Sequence, residues 1–171
     1  MEELKKYIRD VPDFPKPGIL FKDITPLLQE PEAFQKVIEL FAKRYQGKSI
    51  DRVVGIESRG FIFGSVLAHT LKKGFSLVRK TGKLPWKKVS MTYDLEYGTD
   101  TIQMHEDAVH PGDRVLVIDD LLATGGTAKA ACELIRKMGG EVVECAFVVE
   151  LEFLKGREKL KDVEVYSLLK Y

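Results

Sequence analysis

The chain has 171 residues, 44% of them hydrophobic, which is enough for one substantial core and short enough for a single domain over 1–171. Twenty-seven Lys and Arg stand against 26 Asp and Glu with no block of like charge, so electrostatics support neither a nucleic-acid nor a membrane partner. No apolar run approaches the roughly 18 residues of a membrane span, the Met1–Lys6 start carries no apolar leader, and Cys132 and Cys145 form no C-x-x-C pair, all of which points to the reducing cytoplasm.

Leu4, Ile8 and Val11 recur at helical spacing, predicting a short helix before Pro12, Pro15 and Pro17 impose an extended segment that reaches Thr25-Pro26. Pro31 opens a second helix, whose apolar face is Phe34, Val37, Ile38, Phe41, Ala42 and Tyr45 and whose end is near Gly47. Arg52 to Ile56 reads as a strand. Phe61 to Leu71 is apolar nearly all round, which predicts a buried helix ending at Gly74, and Phe75 to Val78 follows as a strand. From Arg79 to Met104 the chain turns polar, with weak strand signals only at Met91 to Tyr93 and Thr101 to Met104; so long a stretch with so little core suggests a functional segment. Pro111-Gly112 introduces the strand Val115 to Ile118. Ala130, Ala131, Leu134, Ile135 and Met138 trace a helix closed by Gly139-Gly140, and Val142 to Leu151 and Val163 to Leu168 supply the last strands. Unbroken apolar strands separated by helices predict an α/β fold: a Rossmann-like parallel sheet covered on both faces.

The stretch V-L-V-I-D-D-L-L-A-T-G-G-T, Val115 to Thr127, carries the strongest chemical signal. Asp119 and Asp120 stand where the apolar run stops, at the sheet edge where ligands collect, and two adjacent carboxylates can accept hydrogen bonds from a ribose 2′,3′-diol. Gly125 and Gly126 can turn backbone N–H groups inward while Thr124 and Thr127 add hydroxyls, and the following helix directs its positive end at the same place. That combination makes a seat for one phosphate. No Walker lysine and no G-x-G-x-x-G occurs, so the pattern fits a ribose 5-phosphate better than a nucleoside triphosphate or a dinucleotide.

In this loop the sequence resembles the type I phosphoribosyltransferases. Pro12 to Leu28, Glu57-Ser-Arg-Gly-Phe61, Arg79-Lys-Thr-Gly-Lys-Leu-Pro85, Leu95-Glu-Tyr-Gly98 and Leu154 to Leu160 are similar, in order, to the adenine phosphoribosyltransferases, and the resemblance covers nearly the whole chain. It implies transfer of a 5-phosphoribosyl group from phosphoribosyl pyrophosphate (PRPP) to N9 of adenine. The products would be AMP and pyrophosphate, in purine salvage, with Mg2+ held through PRPP and water rather than by a protein side chain.

The same resemblance assigns expected roles. Asp119 and Asp120 hold the ribose, Ala123, Thr124, Gly125, Gly126 and Thr127 hold the 5-phosphate, and Glu57, Ser58, Arg59, Arg79, Lys80 and Lys83 hold pyrophosphate. Leu20, Phe21 and Lys22 read adenine beneath a small N-terminal hood, 1–30. Ser90 to Met104 is a mobile lid carrying Glu96 and Tyr97 into the site, with Glu96 handling the adenine proton near N7. Glu96, Asp119, Asp120 and Arg59 are the expected catalytic set. A homodimer is also implied, for which Phe61 and Phe63 beside Gly64 and Ser65 offer a face, ordinary core packing being the competing reading. A cis peptide is expected at Glu57–Ser58. His69, His105 and His110 read as structural or solvated, and the two cysteines as small core residues. Two rivals are a PRPP-sensing regulator, for which the balanced charge leaves no DNA-binding face, and a transferase using guanine, hypoxanthine or orotate.

Overall fold

The computed structural model describes residues 1–95 and 98–171. Its centre is a seven-stranded sheet in the order β5-β6-β4-β3-β7-β8-β9, built from β3 (Arg52–Ile56), β4 (Gly74–Lys80), β5 (Lys88–Asp94), β6 (Thr99–His105), β7 (Arg114–Leu122), β8 (Glu141–Glu150) and β9 (Val165–Lys170). The five strands from β4 to β9 are parallel, while β5 and β6 form an antiparallel hairpin that joins β4 at Arg79↔Gln103 and Lys80↔Ile102.

Alternation along the central strands divides the core in two. Leu116 and Ile118 of β7 face the side covered by α2 (Pro31–Tyr45) and α3 (Gly60–Leu71), where they meet Val37, Phe41, Phe63 and Leu67. Val115 and Val117 face the other side, covered by α4 (Gly126–Lys137) with Ala131, Leu134 and Ile135. Cys132 of α4 and Cys145 of β8 are buried here with sulfurs 3.4 Å apart, as small core residues. Helices therefore cover both faces of a mainly parallel sheet, as the apolar runs require.

Several elements differ from the sequence reading. The N-terminal helix is a single 3-10 segment, Glu2–Tyr7, because the chain from Arg9 pairs as a strand: β1 (Arg9–Pro12) lies antiparallel to β2 (Leu20–Asp23) in a separate two-stranded sheet, followed by the short α1 (Thr25–Gln29). Neither the hairpin nor α1 was signalled by the Pro-rich composition. α3 is not buried all round, since Ile62, Ser65, His69 and Thr70 are exposed. Phe63 is fully buried and Gly64 is wedged against Phe75 and Ile118, so both serve the core, and Phe61 packs edge-on to Phe75 at 6.3 Å. The segment expected as a lid is a full hairpin whose second strand buries Ile102 and Met104, which anchors that arm in the core. No helix among the described residues is long and apolar enough to cross a membrane.

Candidate active site

β7 continues to Leu122, so Asp119 and Asp120 lie within the strand and not beyond it. What ends at Ile118 is the pairing with β3, whose last partner there is Gly55; β8 stays paired with β7 as far as Leu122↔Glu150. β3 leaves the sheet plane through the turn at Glu57–Arg59 into α3, and the gap it leaves exposes one flank of β7. Both carboxylates consequently line a single cavity of about 540 Å³, within the range of small-molecule sites, together with Glu57, Ser58, Arg59, Lys80 and Thr127. A smaller hollow of about 90 Å³ adjoins it and is walled by Ala123, Thr124, Gly125, Gly126 and Thr127 at the start of α4.

This hollow owes its shape to two backbones in close approach. Gly125 takes φ +78, a conformation that disfavours other residues, and a Cβ at Gly125 or at Gly156 would overlap a carbonyl oxygen of the facing chain, that of Gly156 or Ala123 respectively. The Leu154–Leu160 segment thus braces the turn from behind. It is held in turn by Arg157, whose Nε and Nη2 donate to the Glu150 carboxylate at 2.5 and 2.7 Å and whose Nη1 donates to the Val165 carbonyl at 2.8 Å. N–H groups at the N-terminus of the twelve-residue α4 remain available to an anion in the hollow.

The two acids are electrostatically strained. Burial pushes the Asp119 carboxyl well above the usual carboxylate range, the charge of Asp120 adds to this, and Arg59 opposes it. Asp120, 4% exposed, is raised by burial as well, with Arg59 pulling it down from 2.9 Å away. A polar partner that donates hydroxyls, or a positive charge developing on a sugar ring, would relieve both groups. Glu57 behaves differently: burial pushes its pKa up, but the Lys80 backbone N–H at 2.8 Å and the Arg79 guanidinium at 3.2 Å bring it below the ordinary value. The Glu57–Ser58 peptide is cis, as the motif led us to expect.

Not every expected residue faces the cavity. Arg79 is turned onto Glu57 and the Lys83 carbonyl, and neither it nor Lys83 is part of the lining. Lys22 is 8% exposed, and its ammonium points away under the β1–β2 sheet to Asp10 at 2.5 Å and the Tyr171 ring at 4.1 Å, so its side chain is no flat contact for a base. Phe21 connects to the site through Arg59, whose guanidinium carbon lies 5.4 Å from the ring centre, while Leu20 is exposed. Glu96 and Tyr97 lie outside the described residues. None of His69, His105 and His110 lines the cavity; His105 packs against Trp86, and His110 pairs with Asp113 at 3.5 Å.

Sequence reasoning missed Tyr93, Asp100 and Leu121 of the lining and the bracing role of Gly156. Tyr93 bridges the β5–β6 hairpin to the hollow at the start of α4, its hydroxyl 3.0 Å from that of Thr127 and 3.3 Å from Asp100. Its place in the weak strand signal Met91 to Tyr93 was the available clue.

Residues 23–170 match the family model described as a phosphoribosyl transferase domain. An adenine phosphoribosyltransferase of Geotalea daltonii is 60% identical over 171 residues, all of both chains. Among solved structures, the adenine phosphoribosyltransferase of Thermoanaerobacter pseudethanolicus superposes with TM-score 0.97 at 50% identity, covering 99% of each chain. That of Saccharomyces cerevisiae, complexed with an imino-altritol bisphosphate and adenine, gives TM-score 0.92 at 44% identity, covering 98% of this chain and 97% of the other.

Proposed function

Because the chain belongs to the phosphoribosyltransferase family, we infer that it works as an adenine phosphoribosyltransferase of purine salvage, moving the 5-phosphoribosyl group of PRPP to N9 of adenine and releasing pyrophosphate. The observation that carries this reading is the placement of Asp119 and Asp120 in one cavity with the hollow formed by Ala123–Thr127. A diol clamp and a phosphate seat at that spacing suit one ribose 5-phosphate.

In the reaction the C1′–oxygen bond to pyrophosphate breaks as N9 of the base bonds to C1′, leaving positive charge on the sugar and negative charge on the leaving group. Asp119 and Asp120 accept the ribose hydroxyls and, as strained buried carboxylates, favour the positive ring of the transition state. Arg59 and Lys80, with the backbone of Glu57 and Ser58, receive pyrophosphate, and Arg79 acts by holding Glu57 and the loop in place. Magnesium bound to PRPP oxygens and water would supply further neutralisation of the leaving group.

The base is read by the free edge of β2, where Leu20 and Lys22, two residues apart, direct backbone groups to the same side, a donor and acceptor pattern that the amino group and ring nitrogen of adenine complement. Residues 1–30 form the hood that places this edge, and 90–104 is the lid that closes over the sugar, bringing Glu96 and Tyr97 into the site with Glu96 handling the adenine proton near N7. We place the enzyme in the cytoplasm as a homodimer. A spectrophotometric assay of PRPP with adenine, guanine, hypoxanthine and orotate tests the assignment: adenine alone should support rapid turnover, and preference for another base would overturn it.

A further inference from the structure

β2 lies outside the main sheet. Its one strand partner is β1, in a sheet of only two strands, and its side chains leave in opposite directions. Phe21 goes toward the cleft, between Arg59 and the Phe14 ring at 5.2 Å, while Leu20 is 46% exposed and anchors nothing. Asp23, at the end of β2, accepts from the Thr25 N–H and hydroxyl at 2.9 and 2.7 Å and pairs with Arg9 of β1, ties that are all local in the chain, so the side chain that links the middle of the strand to the main sheet is Lys22. Its ammonium is buried and meets two groups: the carboxylate of Asp10, its cross-strand partner on β1, at 2.5 Å, and the face of Tyr171, just beyond β9, at 4.1 Å. Tyr171 is in turn fixed by its backbone, donating to the Glu150 carbonyl at 3.0 Å and accepting from the Glu152 N–H at 2.9 Å, while its hydroxyl is buried without a partner. The useful part of that residue is therefore the ring.

We propose that Tyr171 and Asp10 are positioning residues for base recognition: through the Lys22 ammonium they set the height and angle of the β2 edge that reads adenine. This rests on the reading of β2 as the base-recognition strand. A buried ammonium has strong demands, because leaving it without a counter-charge and a polarisable face is costly, so the lysine goes where those two groups are. Its backbone must follow. Glu150, which positions Tyr171, is the same residue that holds Arg157 behind the phosphate turn, so the base edge and the phosphate seat are referred to one end of β8. The distance between base and ribose is set by that shared reference point.

The test compares Tyr171→Leu, Tyr171→Phe and Asp10→Asn with the parent enzyme, alongside hydrogen exchange at the Leu20–Lys22 amides with and without AMP. A cation–π contact of about 1 kcal/mol corresponds to roughly fivefold, which is the ceiling on its effect, so Tyr171→Leu should raise the KM for adenine by about two- to fivefold while kcat and the KM for PRPP stay within about 1.5-fold. Tyr171→Phe keeps the ring and should match the parent, and Asp10→Asn should repeat the adenine-specific defect. AMP should slow exchange at Leu20–Lys22 in the parent and do so less in Tyr171→Leu. Absence of AMP-dependent protection in the parent would remove β2 from base recognition and this inference with it. Protection in the parent combined with an unchanged adenine KM in Tyr171→Leu, or with equal losses for adenine and PRPP, would overturn the positioning role alone.

Discussion

The guanidinium of Arg59 lies 2.9 Å from the carboxylate of Asp120, joining the turn after β3 to the acid pair of β7 across the mouth of the cavity. The arginine side chain is 37% exposed and that of the aspartate 5%, so the cation is accessible to an incoming anion while the acid is not. Pyrophosphate arriving as part of PRPP would compete for this cation, releasing Asp120 to the ribose. Arg59→Met should therefore lower kcat/KM for PRPP by about 100-fold, the usual effect of losing a charge stabiliser at a leaving group. Steady-state kinetics with PRPP varied would check this, and a loss below about threefold would dissociate Arg59 from pyrophosphate.

Gly156 should tolerate no side chain. A Cβ there overlaps the Ala123 carbonyl oxygen and crowds Leu122, so Gly156→Ala must push the phosphate turn forward. Thermal unfolding should show a loss of about 1–3 kcal/mol, and ribose 5-phosphate affinity measured by calorimetry should fall with it. Unchanged affinity would mean that the turn is not braced from behind.

Arg157 and Glu150 make a stability prediction with a pH signature. Burial raises the Glu150 pKa, but the Arg157 hydrogen bonds and the charges of Arg157 and Lys170 overcome it and leave the group below its ordinary value. A depressed carboxylate adds stability above its unfolded pKa and loses it as pH falls through the folded one. With Arg157 replaced by Met, the hydrogen bonds and the nearest charge that lower this carboxyl are gone and burial is opposed by the Lys170 charge, so the gain in stability as pH rises through the carboxylate range should shrink. At neutral pH the cost should be about 1–2 kcal/mol, discounted because Arg157 is 41% exposed. Melting temperatures of parent and variant between acid and neutral pH would show a shallower rise in the variant; parallel slopes would contradict the pairing.

How much of this was legible beforehand depends on what each residue had to satisfy. The parallel sheet, α2, α3 and α4 were readable because each buries an apolar run or stripe, and Asp119, Asp120 and Gly125 stood out because paired acids and glycine turns at a strand end have few other uses. The β1–β2 hairpin and the full length of β5 and β6 were not, because their exposed positions carry polar or proline residues and their pairing is set by tertiary contact. Lys22 shows the limit most clearly: its place in the motif is evident from the chain, but the burial of its ammonium on Tyr171 depends on a residue 149 positions later. Gly156 was hidden likewise, since its neighbour in space, Ala123, is remote in sequence.

The lid reading separates binding from chemistry. If Glu96 handles the adenine proton, Glu96→Leu should cut AMP formation by about 100-fold and leave PRPP affinity nearly unchanged, because the groups proposed to hold PRPP lie on β7, the start of α4 and the turn after β3, outside the 90–104 segment. Single-turnover AMP formation together with PRPP calorimetry distinguishes the cases; proportional loss of both would return Glu96 to a general structural role.

The acid pair is the centre of the account, and the double replacement Asp119→Asn with Asp120→Asn measures it most directly. Both carboxyls are raised by burial, and a carboxyl raised in the folded state lowers stability as pH climbs above its unfolded pKa. Neutral amides should therefore leave the apo protein at least as stable at pH 7 while turnover falls by roughly 100-fold or more through loss of transition-state charge stabilisation. A folded double variant with near-normal kcat would contradict the diol clamp; a stable protein that binds ribose 5-phosphate but scarcely turns over is the result expected.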